Sequence, residues 1–251
     1  MGILKENYLN ERVSLGVIPG VTILRLYGVN GATTTTHETL WDNSSLYVFL
    51  QANMSSPTIV SSSANDAAAG TGARTVRITG VDSTFATKTE DVTLNGATPV
   101  SLVNNYMSIN SIIVLTAGSG LVNAGTLTLA AGGTTHGFMA AAINQTTSFI
   151  YTVPTGYSLL IRECASSSRS TTAGGHEFYI RYSTNLGLVY LAHIDGFLNT
   201  GSRIEKQLDA PLYFPEKTQI QGTILSSAGT GPCYGVASGW LIDNDANVLG
   251  L

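Results

Sequence analysis

Arg74-Thr-Val-Arg-Ile-Thr79 alternates polar and apolar residues and stops at Gly80; ten residues further on, Glu90-Asp-Val-Thr-Leu94 alternates again and runs into Asn95-Gly96. Period-two alternation ending at glycine marks a half-buried strand. Asn-Gly is a two-residue hairpin signal, because both positions tolerate positive φ. The same grammar repeats outward from this pair. Toward the N-terminus, Val21-Thr-Ile-Leu-Arg-Leu-Tyr27 ends at Gly28, and Leu46-Tyr-Val-Phe-Leu-Gln51 reads as a strand. Toward the C-terminus come Thr98-Pro-Val-Ser-Leu-Val103, residues 108–116, Gly125-Thr-Leu-Thr-Leu129 and Phe149-Ile-Tyr-Thr-Val153, the last entering a Pro154-Thr-Gly156 turn. Residues 157–164, 177–182, 187–193, 204–208, 218–225 and 234–242 follow in the same style. Short strands at roughly 8–12-residue spacing predict a sandwich or barrel. The one helix signal lies in residues 1–13, where Leu4, Tyr8 and Leu9 share a side.

Ala130-Ala-Gly-Gly-Thr-Thr-His136 reads as a boundary or a long turn. The expected fold is all-β: two antiparallel, jelly-roll-like β-sandwich units over residues 37–135 and 136–251, preceded by an N-terminal arm over residues 1–36. Thr33-Thr-Thr-Thr36 buries little and Pro19-Gly20 breaks a continuous element, hence the arm. Within it Ile3, Leu4, Tyr8, Leu9, Val17 and Ile18 are apolar but too scattered for a core of their own. Such residues gain order by docking on a partner. Trp41 is expected in the core, where large aromatics are substantially buried.

With 251 residues and 43% hydrophobic content the chain has enough material for a real core. Its charged fraction is 11%, against roughly 25% in an average soluble domain. A surface covered by hydroxyls and amides costs little charge desolvation when another protein packs on it. Net charge is −4 without a basic run, which argues against nucleic acid as the main ligand. Arg74 and Arg77, at odd spacing on one strand, point to opposite faces. No stretch has the length of a membrane span, and Met1-Gly-Ile-Leu-Lys-Glu-Asn7 has no apolar signal core, which fits assembly in a cytoplasm.

No catalytic, cofactor-binding or metal-ligating residue is expected. The four histidines, His37, His136, His176 and His193, share no metal-binding spacing. There is no Gly-x-Ser-x-Gly elbow, and neither Cys164 nor Cys233 has a Cys–His context. The cysteines read as two buried thiols, with a single bridge open if their strands are neighbours. Glu90 and Asp91 are adjacent on a strand and cannot serve one site. Asp243-Asn-Asp-Ala-Asn247 begins like a calcium loop, but Val248 stands where that loop needs glycine; a polar turn is the better reading. Tyr179, Tyr182, Tyr190 and Tyr213 gather near Arg181 in the second half, as core filling or as a sugar-stacking surface, with core favoured.

Leu26-Tyr-Gly-Val-Asn30 followed by Glu38-Thr-Leu-Trp-Asp42 resembles the entry of a group of structural proteins in tailed-bacteriophage genomes. Ser62-Ser-Ala-Asn-Asp66, Ala69-Gly-Thr-Gly-Ala-Arg74, Arg77-Ile-Thr-Gly-Val-Asp82 and Val92-Thr-Leu-Asn-Gly96 are similar to the same group, as are Asn123-Ala-Gly-Thr-Leu-Thr128 and Tyr151-Thr-Val-Pro-Thr-Gly156. The resemblance spans residues 27–156 and implies a virion component of the head surface or a fibre, with no catalytic residues. The leading expectation is a head decoration or cement protein whose partners are the major capsid protein and its own copies. The alternatives are a fibre or receptor-binding module recognising host glycans, and a tail or connector structural protein. Few lysines guard the strand edges, and only Pro99 and Pro211 stand where an edge might be blocked, so a homo-oligomer is expected. The resemblance favours a trimer, with Arg181, Arg203, Glu205 and Lys206 as rim charges between copies.

Overall fold

The computed structural model describes residues 9–169, 175–185, 187–198, 203–227 and 231–246. The chain is all-β as expected, with one short helix, α1 (Leu9–Ser14), and sixteen strands among the described residues. In chain order they are β1 (Val21–Asn30), β2 (Glu38–Thr39), β3 (Thr58–Ser61), β4 (Ala73–Val81), β5 (Thr87–Thr93), β6 (Val100–Ser101), β7 (Ser108–Ala117) and β8 (Leu127–Ala131). There follow β9 (Thr134–Met139), β10 (Ile150–Thr152), β11 (Tyr157–Ser168), β12 (Gly175–Ser183), β13 (Val189–Leu198), β14 (Arg203–Phe214), β15 (Gln219–Ser226) and β16 (Cys233–Asp243).

One antiparallel sheet has the order β1-β16-β11-β14, and a second has β10-β15-β12-β13 with β2 added beside β15. The first and last long strands lie side by side, and the chain passes back and forth between the sheets. This is jelly-roll order. Both sheets feed one core: Leu26, Leu159, Ile161 and Ala237 from the first, Phe178, Ile180, Ile220 and Ile224 from the second. Each such side chain contributes about 1.5–3 kcal/mol by leaving water.

The segment expected as an arm over residues 1–36 is therefore corrected from Val21 onward. All ten residues of β1 pair with β16, from Val21 opposite Ile242 to Asn30 opposite Cys233. Leu26 is buried, and Leu24 packs against the same core. Gly28 permits close approach here, since a Cβ would run into the Leu40 carbonyl and the Phe149 amide.

The remaining strands form an insertion between β2 and β10. They make two further antiparallel sheets, β6-β3-β8-β9 and β5-β4-β7, which share a core containing Ile59, Val76, Ile78, Ile112, Leu127 and Leu129. The expected boundary at residues 135 and 136 falls inside this unit. Gly132 and Gly133 both have positive φ and turn β8 directly into β9. The jelly-roll strands thus come from both sides of the insertion, and the expected units 37–135 and 136–251 do not follow the observed pairing. Asn110 on β7 joins the two parts: its Nδ2 donates to the Thr152 carbonyl at 3.0 Å and its Oδ1 accepts from the Thr152 amide at 2.9 Å.

One predicted strand and one predicted hairpin differ. Residues 46–51 run extended without a ladder, strapped over the jelly roll by side chains. Gln221 and Arg181 donate to the Tyr47 carbonyl at 3.1 and 3.4 Å, and Gln219 donates to that of Leu50 at 2.7 Å. Asn95-Gly96 does not close a hairpin: β5 pairs with β4, whereas β6 pairs with β3 in the other sheet. The positive φ of Gly96 instead turns the chain across between the sheets.

Candidate functional site

Of the six proposed docking residues, Ile3, Leu4 and Tyr8 lie outside the described residues. Leu9 begins α1, which packs on β1 with Val13 buried. Val17 is exposed and Ile18 half-buried, so Val17 presents apolar surface from this segment, with Leu15 beside it.

The four expected rim charges divide. Arg181 is turned inward: its guanidinium lies 5.1 Å from the Phe49 ring centre and burial lowers its pKa. It clamps the strap and is not a rim residue. Arg203 and Glu205, exposed on one face of β14, pair with each other. Lys206 points the other way, donating to the Ile194 carbonyl at 2.8 Å and sitting 3.5 Å from Asp195. It closes the gap between β14 and β13, each the last strand of its sheet. A lysine on an exposed edge is a common guard against unwanted strand pairing.

The tyrosines also separate. Tyr182 stacks on Tyr190 at 5.3 Å and meets Phe214 edge-on, filling the open end of the core. Tyr179 lies between His37 and His193, at 5.0 and 4.9 Å, and its hydroxyl donates to Glu177. Tyr213 is the most exposed of the group, at 61%, and Tyr190 is exposed on the side away from its stacking partner. Trp41 is buried, as expected.

Among the described residues no group of three or more His, Cys, Asp or Glu is placed to hold a metal ion. Asp243 accepts from the Asp245 amide and Asn244 from the Ser158 hydroxyl, which makes the polar turn that was expected. Cys164 and Cys233 are free and buried. The Cys233 sulfur lies 3.6 Å from Nδ1 of His176, whose Nε2 meets the Ser168 hydroxyl at 3.2 Å. Burial raises the pKa of Cys233 and lowers that of His176, so both are neutral and no thiolate–imidazolium pair forms. Burial pushes Cys164 up to about 12.

One surface was not singled out from the sequence. Leu188, Val189, Tyr190 and Leu191, at the turn into β13, are all exposed, Leu188 at 54% and Leu191 at 53%. The signal was present as four consecutive apolar residues after Gly187. A continuous apolar run normally means a strand buried on both faces. Here the strand is the last in its sheet, so the run lies open. Among the described residues no helix is long and apolar enough to cross a membrane.

No family model and no curated protein matches the chain. Solved structures of infectious bursal disease virus capsids align over most of its length. The derived T=1 particle has 14% identity and a TM-score of 0.28, covering 90% of this chain and 71% of its own. The T13 viral particle has 12% identity and a TM-score of 0.28, covering 90% and 68%. Overlaps this loose establish neither the fold nor the function of this chain, whose architecture rests on its own strand pairing.

Proposed function

We propose that this chain is a non-enzymatic structural protein of a tailed-bacteriophage particle. It sits on the outer surface of the head, binds the major capsid protein and its own copies, with a trimer as the favoured state, and reinforces the shell. The observation that carries the reading is the open apolar run from Leu188 to Leu191 on the terminal strand of a sheet. Exposed apolar surface of this kind marks a protein–protein contact. A chain with only 11% charged residues lets such a contact form with little charge desolvation. Jelly rolls recur in viral capsid and lectin domains, a supporting analogy at the level of fold alone.

The test uses particles stripped of the protein by mild denaturant. Added full-length chain should rebind to the head and appear as external density in a low-resolution map. The triple variant Leu188→Thr, Val189→Thr, Leu191→Thr should keep its far-ultraviolet dichroism and lose rebinding. Rebinding at the wild-type level, or density confined to tail fibres, would overturn the proposal. Light scattering at micromolar concentration reads the oligomer. A monomer both in solution and on the particle would remove the self-association part.

A further inference from the structure

The outer face of the β1-β16-β11-β14 sheet carries a polar groove that the proposed role in the shell does not use. Its origin is a bulge in β11. The register of β11 slips between Ile161 and Glu163 against both of its neighbours, β14 and β16. Ile161 and Cys164 both stay in the core, leaving Arg162 half-buried and Glu163 exposed between them. A bulge re-aims side chains in this way, and such irregularities concentrate at functional sites.

Glu163 falls in one row across all four strands: Arg25 opposite Ser238, Ser238 opposite Glu163, Glu163 opposite Gln207. Ser238 and Gly239 give the row a low floor. The groove they line with Arg25, Arg162, Glu163, Gln207, Ile23, Ser14 and Trp240 encloses about 320 Å3. That lies at the lower end of the roughly 300–1,000 Å3 typical of small-ligand sites. The Arg162 guanidinium lies 4.5 Å from the centre of the Trp240 ring and braces that wall. Tyr27 flanks the groove in the neighbouring row, opposite Val236, and is 44% exposed.

Arg25 and Glu163 stand on either side of β16, two strand spacings or roughly 10 Å apart. They are too far apart to pair, and neither forms an ion pair with another described residue. The walls therefore offer a fork of donors, a carboxylate acceptor and the amide of Gln207, which does both. With the Arg162 guanidinium laid on the Trp240 ring, Arg25 and Glu163 are the opposed charges on the two walls, and neither a simple anion nor a simple cation satisfies both. A neutral polyhydroxyl ligand, in which each hydroxyl donates and accepts, suits all three.

We infer that this groove is a binding site for a neutral saccharide. It lies on the opposite sheet from the apolar run of β13, so a copy docked through that run keeps it accessible. The tyrosines near Arg181 do not contribute.

The full-length chain is screened on an array of neutral and sialylated oligosaccharides. The best neutral binder is then titrated by calorimetry and by tryptophan emission. Saturable binding of a neutral sugar is expected, with an emission change that vanishes in Trp240→Phe, because Trp41 is buried in the core. Glu163→Gln and Arg25→Met should each weaken binding about tenfold or more, at unchanged melting temperature. Arg203→Gln, on the same face outside the groove, should bind as wild type. Three results would each overturn the assignment: no saturable binding up to about 10 mM, where even millimolar ligands register; affinity unchanged in both groove variants; or selection of sialylated over neutral sugars.

Discussion

Asp66 holds the inserted unit together through its side chain. It is fully buried and accepts four hydrogen bonds: from the Ser61 hydroxyl at 2.6 Å, the Ala73 amide at 2.7 Å, and the Ala124 and Gly125 amides at 2.8 Å each. Three chain segments meet on one carboxylate. In Asp66→Ala the buried Ala73 and Gly125 donors are stranded at about 1–3 kcal/mol each, while Ala124, exposed, recovers water. With the lost hydroxyl bond the total is about 3–6 kcal/mol, a large part of a typical domain's stability. At about 2–4 °C per kcal/mol for a chain of this size the melting temperature falls by roughly 10–20 °C. Asp66→Asn should cost less. Oδ1 keeps Ala73 and Ala124, the new amino group donates to Ser61, whose hydroxyl turns round, and only Gly125 is left facing a donor, at about 1–3 kcal/mol. Gly72 supplies a second arm, since a Cβ there would collide with Asp66 Oδ1. Asp66→Ala and Gly72→Ala should therefore be strongly non-additive. Urea unfolding followed by far-ultraviolet dichroism measures all four variants. An Asp66→Ala protein within about 1 kcal/mol of wild type, well below the stranded-donor cost, or an additive double variant, would refute the argument.

Two further outcomes follow from the charges. Burial lowers the pKa of His136 and His176 from the model-peptide value of 6.5. The fold thus holds them neutral while the unfolded chain takes up protons. Their contribution is complete above 6.5 and is lost as pH falls through the depressed folded values. Melting temperature should decline with acidification in that window, and His136→Gln/His176→Gln should flatten the decline; an unaltered slope would count against it. Lys206→Ala should change stability by at most about 1 kcal/mol, because its ion pair is solvent-screened. It frees the Ile194 carbonyl on the edge of β13 and should raise self-association measured by light scattering. An unchanged oligomer distribution would show that the lysine guards nothing.

Most strands could be read from local pattern. Residues 21–27 show why the arrangement could not. The alternation in Val21-Thr-Ile-Leu-Arg-Leu-Tyr27 reads as a strand, yet Pro19-Gly20 and Thr33-Thr-Thr-Thr36 place it in an arm. Its partner β16 is more than two hundred residues away, and no local signal encodes such a pairing. Residues 46–51 err in the opposite direction. Their composition suits a strand, but Gln219, Gln221 and Arg181 take up the Tyr47 and Leu50 carbonyls, so no neighbouring strand is needed. Ala130-Ala-Gly-Gly-Thr-Thr-His136 reads as a boundary or a long turn because glycine pairs serve linkers and tight turns equally well; two positive φ values make it a turn.

The candidate sites were harder to see than the strands, for one physical reason. A site on a sheet face is a row across strands, and a row depends on register, which a one-residue slip changes completely. Arg25, Glu163, Gln207 and Ser238 are scattered over the sequence and none belongs to a motif. They share a row only because β11 carries one extra residue, Arg162, against β16, and β14 makes a longer excursion between Gln207 and Leu212 at the same point. Straightening that bulge would put either Arg162 or Glu163 into the core beside Ile161 or Cys164, where an unpaired charge is costly. The same two charged residues that define the groove therefore also hold the bulge in place. Replacing both with apolar residues would remove the penalty for a regular strand, and with it the groove.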